Sequence, residues 1–169
     1  MNQNISRLHA VANKKSRLII GLMSGTSLDG LDVALCRISG SGLNSKVQLL
    51  KFQTIPYTPA FRAKVLEVFA KRIIDFQTLC ELNASIGMLH GQMVLQSLNK
   101  WKLSSARVDV IASHGQTVFH SPKSITPGAT INSTLQIGDG DHVAVKSGII
   151  TLSDFRQKHI AKGGEGAPL

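Results

Sequence analysis

Acidic side chains are scarce in this chain of 169 residues: ten Asp and Glu stand against nineteen Lys and Arg, for a formal charge of +9. Cysteine and the large aromatics are scarcer still, with two Cys, one Trp and one Tyr. Cys36 and Cys80 lie in apolar segments without metal-binding spacing. That excludes a disulfide scaffold and predicts buried free thiols in a reducing, cytoplasmic setting. The pair His114 and His120, with no cysteine or carboxylate nearby, is too weak a signal for a zinc site. No apolar run approaches the ~18 residues of a membrane span, so no membrane partner is expected. Basic residues are scattered through Arg37, Lys46, Lys51, Arg62, Lys64, Lys71 and Arg72 rather than gathered in one run. With one Tyr and one Trp to stack on bases and no recognisable module, nucleic acid is not an expected partner. The positive balance instead suits an anionic ligand, or the separation of this chain from a more acidic half.

What is present suffices for one domain. The length falls within ~100–200 residues per domain, and 43% of residues are hydrophobic. The first 17 residues carry Arg7, Lys14, Lys15 and Arg17, no acidic residue and no hydrophobic core. They are no secretory signal and read as a basic, disordered leader, with the folded lobe beginning at residue 18.

Strands are predicted at Leu18 to Leu22, Leu31 to Ile38 and Val47 to Ile55, the last two separated by Ser39-Gly40-Ser41-Gly42. Thr58 is a candidate N-cap for an amphipathic helix from about Ala60 to Arg72, and Asp75 opens a longer helical pattern toward Lys100. Within that pattern His90, Met88 and Met93 read as packing or surface residues. Val108 to Ala112 is a short strand, followed by Ser113 to Thr117 as a polar loop. Residues 121–133 read as an exposed connection. A strand at Thr134 to Ile137, a helix at Asp139 to Ser147 and a strand at Gly148 to Leu152 complete an α/β alternation.

The densest chemistry is Gly21-Leu22-Met23-Ser24-Gly25-Thr26-Ser27-Leu28-Asp29-Gly30, between the first two strands. Gly25 and Gly30 are expected to take positive φ and let backbone N–H groups approach an anion. Ser24, Thr26 and Ser27 can donate to phosphate oxygens, and Asp29 can hold Mg2+ directly or through water. The composition equally suits a surface turn. Neither the P-loop nor the dinucleotide glycine pattern is present. His114, Gln116 and Thr117 offer donors and acceptors for a sugar's hydroxyl and amide groups, or for knitting their own loop. Asp154 and Arg156 are a carboxylate and guanidinium that can pair with each other or hold a phosphate.

Taken as a literal string, the glycine segment resembles the signature of the 1,6-anhydro-N-acetylmuramic acid kinase family. Ser113-His114-Gly115-Gln116-Thr117, Leu135-Gln136-Ile137-Gly138, and Ser153-Asp154-Phe155-Arg156 leading to Gly163-Gly164-Glu165-Gly166-Ala167-Pro168-Leu169 resemble it too, in the same order and spacing. The resemblance implies a ribonuclease H-like first lobe of the sugar kinase, Hsp70 and actin superfamily, a mixed sheet with flanking helices. It implies ATP binding by Ser24, Gly25, Thr26, Ser27, Leu28, Asp29, Gly30 and Leu31, with Mg2+ at Asp29. It implies sugar binding by His114, Gln116, Thr117 and Arg156. The chemistry implied is phosphorylation of 1,6-anhydro-N-acetylmuramic acid by ATP with opening of the anhydro ring, in cell-wall recycling.

Such enzymes are roughly twice this length, and the second lobe carries the general base and much of the adenosine site. No catalytic base is therefore assigned here. A complementary second lobe or a homodimer is the expected protein partner, and an exposed apolar patch is expected where the second lobe would pack. The alternative is a truncated, non-catalytic remnant. Two positions depart from the family pattern: His159 stands where it has an aspartate, and Glu165 where it has a glutamine.

Overall fold

The structure is a computed structural model and describes residues 3–167. Pro168 and Leu169 of the closing motif lie outside the described residues. The chain runs α1 (Gln3–Ala12), β1 (Ser16–Ser24), β2 (Gly30–Ser39), β3 (Lys46–Pro56), α2 (Pro59–Leu66), α3 (Phe76–Lys100), β4 (Val110–Ser121), β5 (Ser133–Ile137), α4 (Gly140–Ser147), β6 (Thr151–Leu152) and α5 (Phe155–Ala161).

The first three strands form an antiparallel meander, with Gly21 opposite Ala34 and Ala34 opposite Phe52. The long helical segment then carries the chain across the sheet, so that β4 pairs parallel to β1, with Ile20 opposite Ile111. β6 lies parallel on the far side of β4, and β5 pairs antiparallel with the distal half of β4. The result is the mixed sheet with flanking helices of a sugar kinase/actin-like first lobe.

Local signals account for most boundaries. Thr58 accepts from the Phe61 N–H at 3.2 Å, with Pro59 at the first helical position. Asp75 accepts from Thr78 N at 2.7 Å, and Asp139 from Asp141 N at 2.7 Å. The α2 helix is shorter than its apolar pattern predicts. Beyond it the chain enters a left-handed turn at Ala70 (φ 55°), whose N–H bonds the Val118 carbonyl at 2.8 Å.

The leader expected to be disordered is α1 over residues 3–12. Val11 is buried. Arg17 donates to the carbonyls of Val11 at 3.0 Å and Ala12 at 2.7 Å, closing the end of the helix. Lys14 pairs with Asp109 at 2.5 Å, and the same carboxylate accepts from Leu18 N at 2.9 Å. Of the charges that look like a solvated run in one dimension, Lys14 thus has its partner 95 residues away and Arg17 closes the helix beside it.

The principal core lies between α3 and one face of the sheet, built from Ile20, Leu22, Leu31, Val33, Val94 and Ile111. The other face exposes Met23, Phe52, Leu152 and Phe155 around the small residues Gly21, Ala34 and Ala112. This is an apolar patch of the kind expected from the sequence. Neither cysteine is fully buried, contrary to expectation. Cys36 is half-buried and Cys80 faces out from α3.

Candidate active site

Residues 25–29 join β1 to β2, and leucine rather than glycine makes their sharp turn. Gly25 and Gly30 do not take positive φ; Leu28 does, at 54°. Gly30 is needed for another reason, because a Cβ there would lie 2.5 Å from the Ile55 carbonyl oxygen of β3. A left-handed leucine costs about 1–2 kcal/mol. The Leu28 side chain offsets this by inserting, 2% exposed, among Val65, Leu82, Ile86, Val118 and Ile137, a burial worth roughly 2–3 kcal/mol. The loop is therefore pinned from below. Leu28→Ala keeps the strain and loses the anchor, so a destabilisation of about 2–4 kcal/mol is expected in a urea titration. A change below about 0.5 kcal/mol would show that the loop needs no anchor.

Above the anchor, Thr26, Ser27 and Asp29 are exposed. Asp29 Oδ1 accepts from Ser27 Oγ at 2.7 Å and from Gly30 N at 3.1 Å. The Ser27 hydroxyl foremost, aided by backbone amides, holds the Asp29 carboxyl below its usual range. It stays ionised at neutral pH. Oδ2 makes no bond among the described residues, and no cluster of three or more His, Cys, Asp or Glu lies among them. One free carboxylate oxygen beside hydroxyls fits Mg2+, which keeps its waters and shares few protein ligands.

The segment 113–117, predicted as a loop, is part of strand β4. Ser24 pairs with Gln116, and Gln116 in turn with Ile137, so this polar run is hydrogen-bonded on both sides. The register slips between Leu22 and Ser24, and Gly115 at φ 73° forms the bulge. Gln116 and Thr117 are buried. Gln116 Oε1 accepts the Ser24 hydroxyl, and its amide nitrogen donates to the carbonyls of Gly25 and Thr117 at 3.1 Å each. Thr117 Oγ1 accepts from Gln136 Nε2 at 3.3 Å, so both side chains bond within the protein itself. Ser24, also fully buried, directs its proton to Gln116.

The bulge leaves His114 half-buried. Its Nδ1 lies 3.0 Å from the Gly115 carbonyl and its Nε2 accepts from Arg156 Nε at 2.8 Å. Arginine cannot accept, so the proton of a neutral ring sits on Nδ1. Burial, followed by the nearby guanidinium, holds the His114 pKa below its ordinary value. Arg156 is thus oriented by His114 and not by Asp154, which starts α5 in a left-handed conformation without a side-chain capping bond. A cavity of about 480 Å³ opens beside them, bounded by Ser113, His114, Asp139, Asp154 and, at its rim, Cys80. Ser113 Oγ is buried on its wall with no partner among the described residues.

The anhydro-N-acetylmuramic acid kinase family model matches residues 17–169. The chain belongs to this family. It is 56% identical over its whole length to the anhydro-N-acetylmuramic acid kinase of Pseudoalteromonas atlantica, of which it covers 42%. It is 42% identical over 98% of its length to that of Caldanaerobacter subterraneus, again covering 42%. Over 89% of its length it is 41% identical to that of Bacillus thuringiensis, covering 39%. The chain therefore spans about two fifths of these relatives.

The two residues expected to depart from the family pattern both bond within the fold. His159 Nδ1 accepts from Gly166 N at 3.0 Å, and the ring fills the space beside Gly164, where a Cβ would lie 2.2 Å from Nε2. Glu165 accepts from Ser124 Oγ at 2.5 Å, tying the closing turn to the 121–133 connection.

Two residues of the site escape a reading by motif. Tyr57 Oη lies 2.9 Å from Ser24 Oγ and 2.8 Å from His90 Nε2, and all three are buried. The available signal was register. His90 falls on the same helical stripe as Leu82, Ile86 and Val94, all buried, and a polar residue there needs a partner.

Proposed function

We propose that this chain is the first lobe of a kinase that transfers the γ-phosphoryl group of ATP to 1,6-anhydro-N-acetylmuramic acid with opening of the anhydro ring, yielding N-acetylmuramic acid 6-phosphate in the cytoplasm. One observation carries the reading. The anchored glycine loop and the His114–Arg156 pair stand together where the parallel strands β1 and β6 end against β4, with Ser24 at the end of β1 bonded to Gln116 two residues beyond His114. Ligands of open α/β sheets bind at that edge.

In this reading the exposed hydroxyls and amides of residues 25–29 hold the phosphates, and ionised Asp29 faces a Mg2+ ion. Bound Mg2+ offsets the charge that spreads over the transferring group. Arg156, whose Nε is committed to His114, presents its terminal nitrogens to an anionic or hydroxyl-rich ligand. Because neutral His114 carries its proton on Nδ1 and accepts at Nε2, it fixes Arg156 rather than acting as a base. A second lobe supplies the base and the rest of the adenosine site.

The test is phosphorylation of the anhydro-sugar by the 169-residue chain with Mg-ATP, alone and mixed with a second lobe from an intact relative. Turnover only on mixing is expected. Turnover by the chain alone would overturn the need for a second lobe, and silence in both would favour a non-catalytic remnant. Asp29→Asn is expected to weaken Mg-ATP binding about tenfold while changing stability by no more than about 0.5 kcal/mol, since Asp29 is exposed. Calorimetric titration in the presence and absence of Mg2+ reads this directly, and equal affinities for the two proteins would remove Asp29 from the metal site.

A further inference from the structure

We propose that His90 and Tyr57 are positioning residues for the glycine loop, acting through a one-way hydrogen-bond relay that ends on the Gly25 carbonyl. The direction of the relay follows from valence. Gln116 Nε2 faces two carbonyls, Gly25 O and Thr117 O, which can only accept. Its amide oxygen therefore faces Ser24, and that oxygen must receive the Ser24 proton. Ser24 Oγ then accepts from Tyr57 Oη, which spends the phenol's one proton. His90 Nε2, 2.8 Å from Tyr57 Oη, is left to donate. His90 must thus be the neutral tautomer protonated on Nε2, with Nδ1 a bare acceptor. Nδ1 is indeed buried without a partner.

The relay crosses four segments distant in sequence: α3, the turn after β3, the end of β1 and the bulged part of β4. Ser24 is the last residue of β1 and Gly25 the first of the loop, and both receive its bonds. Titration does not break it across the neutral range, because burial lowers the His90 pKa to about 4 and raises the Tyr57 phenol to about 12. A fully donated chain in a water-poor interior holds its members more firmly than isolated bonds would. It sets the height of the Gly25 carbonyl relative to β4 while Leu28 anchors the loop from the other side. One branch of the Gln116 amide ends within β4 on the Thr117 carbonyl, and the other leaves the sheet to end on the loop backbone at Gly25.

The importance of the relay for nucleotide rests on the kinase reading; its existence and direction do not. Imidazole nitrogen shifts of the full chain test the direction and are expected to show His90 neutral and protonated on Nε2. Protonation on Nδ1 would overturn the relay without any variant. Amide hydrogen exchange of residues 25–30 and Mg-ATP affinity are then compared for Tyr57→Phe, His90→Leu and His90→Gln. The first two are expected to speed loop exchange and weaken Mg-ATP about tenfold each, the worth of one lost buried bond. Amides of Val33 to Leu35 should change far less. Gln carries an amide N–H that can reach the Nε2 position, and it is expected to restore both readouts to within about threefold of the parent. Equal losses in Gln and Leu variants, or exchange rising evenly through the core, would overturn the proposal. If the parent chain binds no Mg-ATP even when mixed with a second lobe, the kinase reading fails, and loop exchange alone still decides the relay.

Discussion

Gly115→Ala is expected to destabilise the folded chain by about 2–5 kcal/mol, combining a left-handed alanine with forced overpacking. Gly115 has φ 73°, and a Cβ there would sit 2.6 Å from the Ile137 carbonyl oxygen. That oxygen belongs to β5, which pairs with β4 at this point and has little freedom to retreat. Any relaxation must undo the bulge, and the bulge sets the orientation of His114 and the pairing of Gln116 with Ser24. Stability and site geometry should therefore fail together. The urea midpoint should fall, and the histidine nitrogen signal that reports the His114–Arg156 bond should disappear in whatever fraction remains folded. A loss of less than about 1 kcal/mol with that signal intact would mean the bulge tolerates a side chain and is no constraint.

Acid should be nearly as damaging, through His90. Its folded pKa is lowered to about 4 from the ordinary 6.5 by burial. Above pH 6.5 both folded and unfolded forms are neutral and His90 adds no pH dependence. Between 6.5 and 4 the unfolded chain takes up a proton that the folded chain refuses, so stability falls as pH falls. The slope approaches about 1.4 kcal/mol per pH unit and the loss reaches about 3 kcal/mol by pH 4. His114, whose pKa is also lowered, adds a smaller loss in the same direction. Denaturant midpoints at pH 7, 6, 5 and 4.5 should fall steadily in the parent and less steeply in His90→Gln. Parallel curves for the two proteins would show that His90 is not held neutral in the fold.

Short-range rules were legible in the residues. Thr58, Asp75 and Asp139 announce their helices because an N-cap bonds an amide two or three positions on, and the alternation of β2 announces a strand with one buried face. The glycine segment and the three later segments likewise named the family, and with it the sheet and its loaded edge. Where the unaided residues misled, a distant partner decided the outcome. Ser113 to Thr117 looks like a loop because it is polar, yet it is strand because Ser24 and Ile137 supply its bonds. Residues 3–12 look like a solvated leader, yet Asp109 and the Arg17 side chain hold that end of the chain in place. Leu28 rather than a glycine takes the left-handed turn because a hydrophobic pocket lies beneath it, and no local rule can see that pocket.

The amino-acid sequence by itself thus determined the family, the order of strands and helices, and which segments carry hydroxyls, carboxylate and guanidinium. The tertiary structure decided which of those groups face outward. Ser24, Gln116 and Thr117 turn inward, Asp29 and Thr26 remain exposed, and His114 takes Arg156 as its partner. Tyr57 and His90 join the site only through the fold. The reason is physical: a polar side chain serves ligand or scaffold according to whether the protein has already satisfied its hydrogen bonds, and those bonds come from segments 19 to 92 residues away.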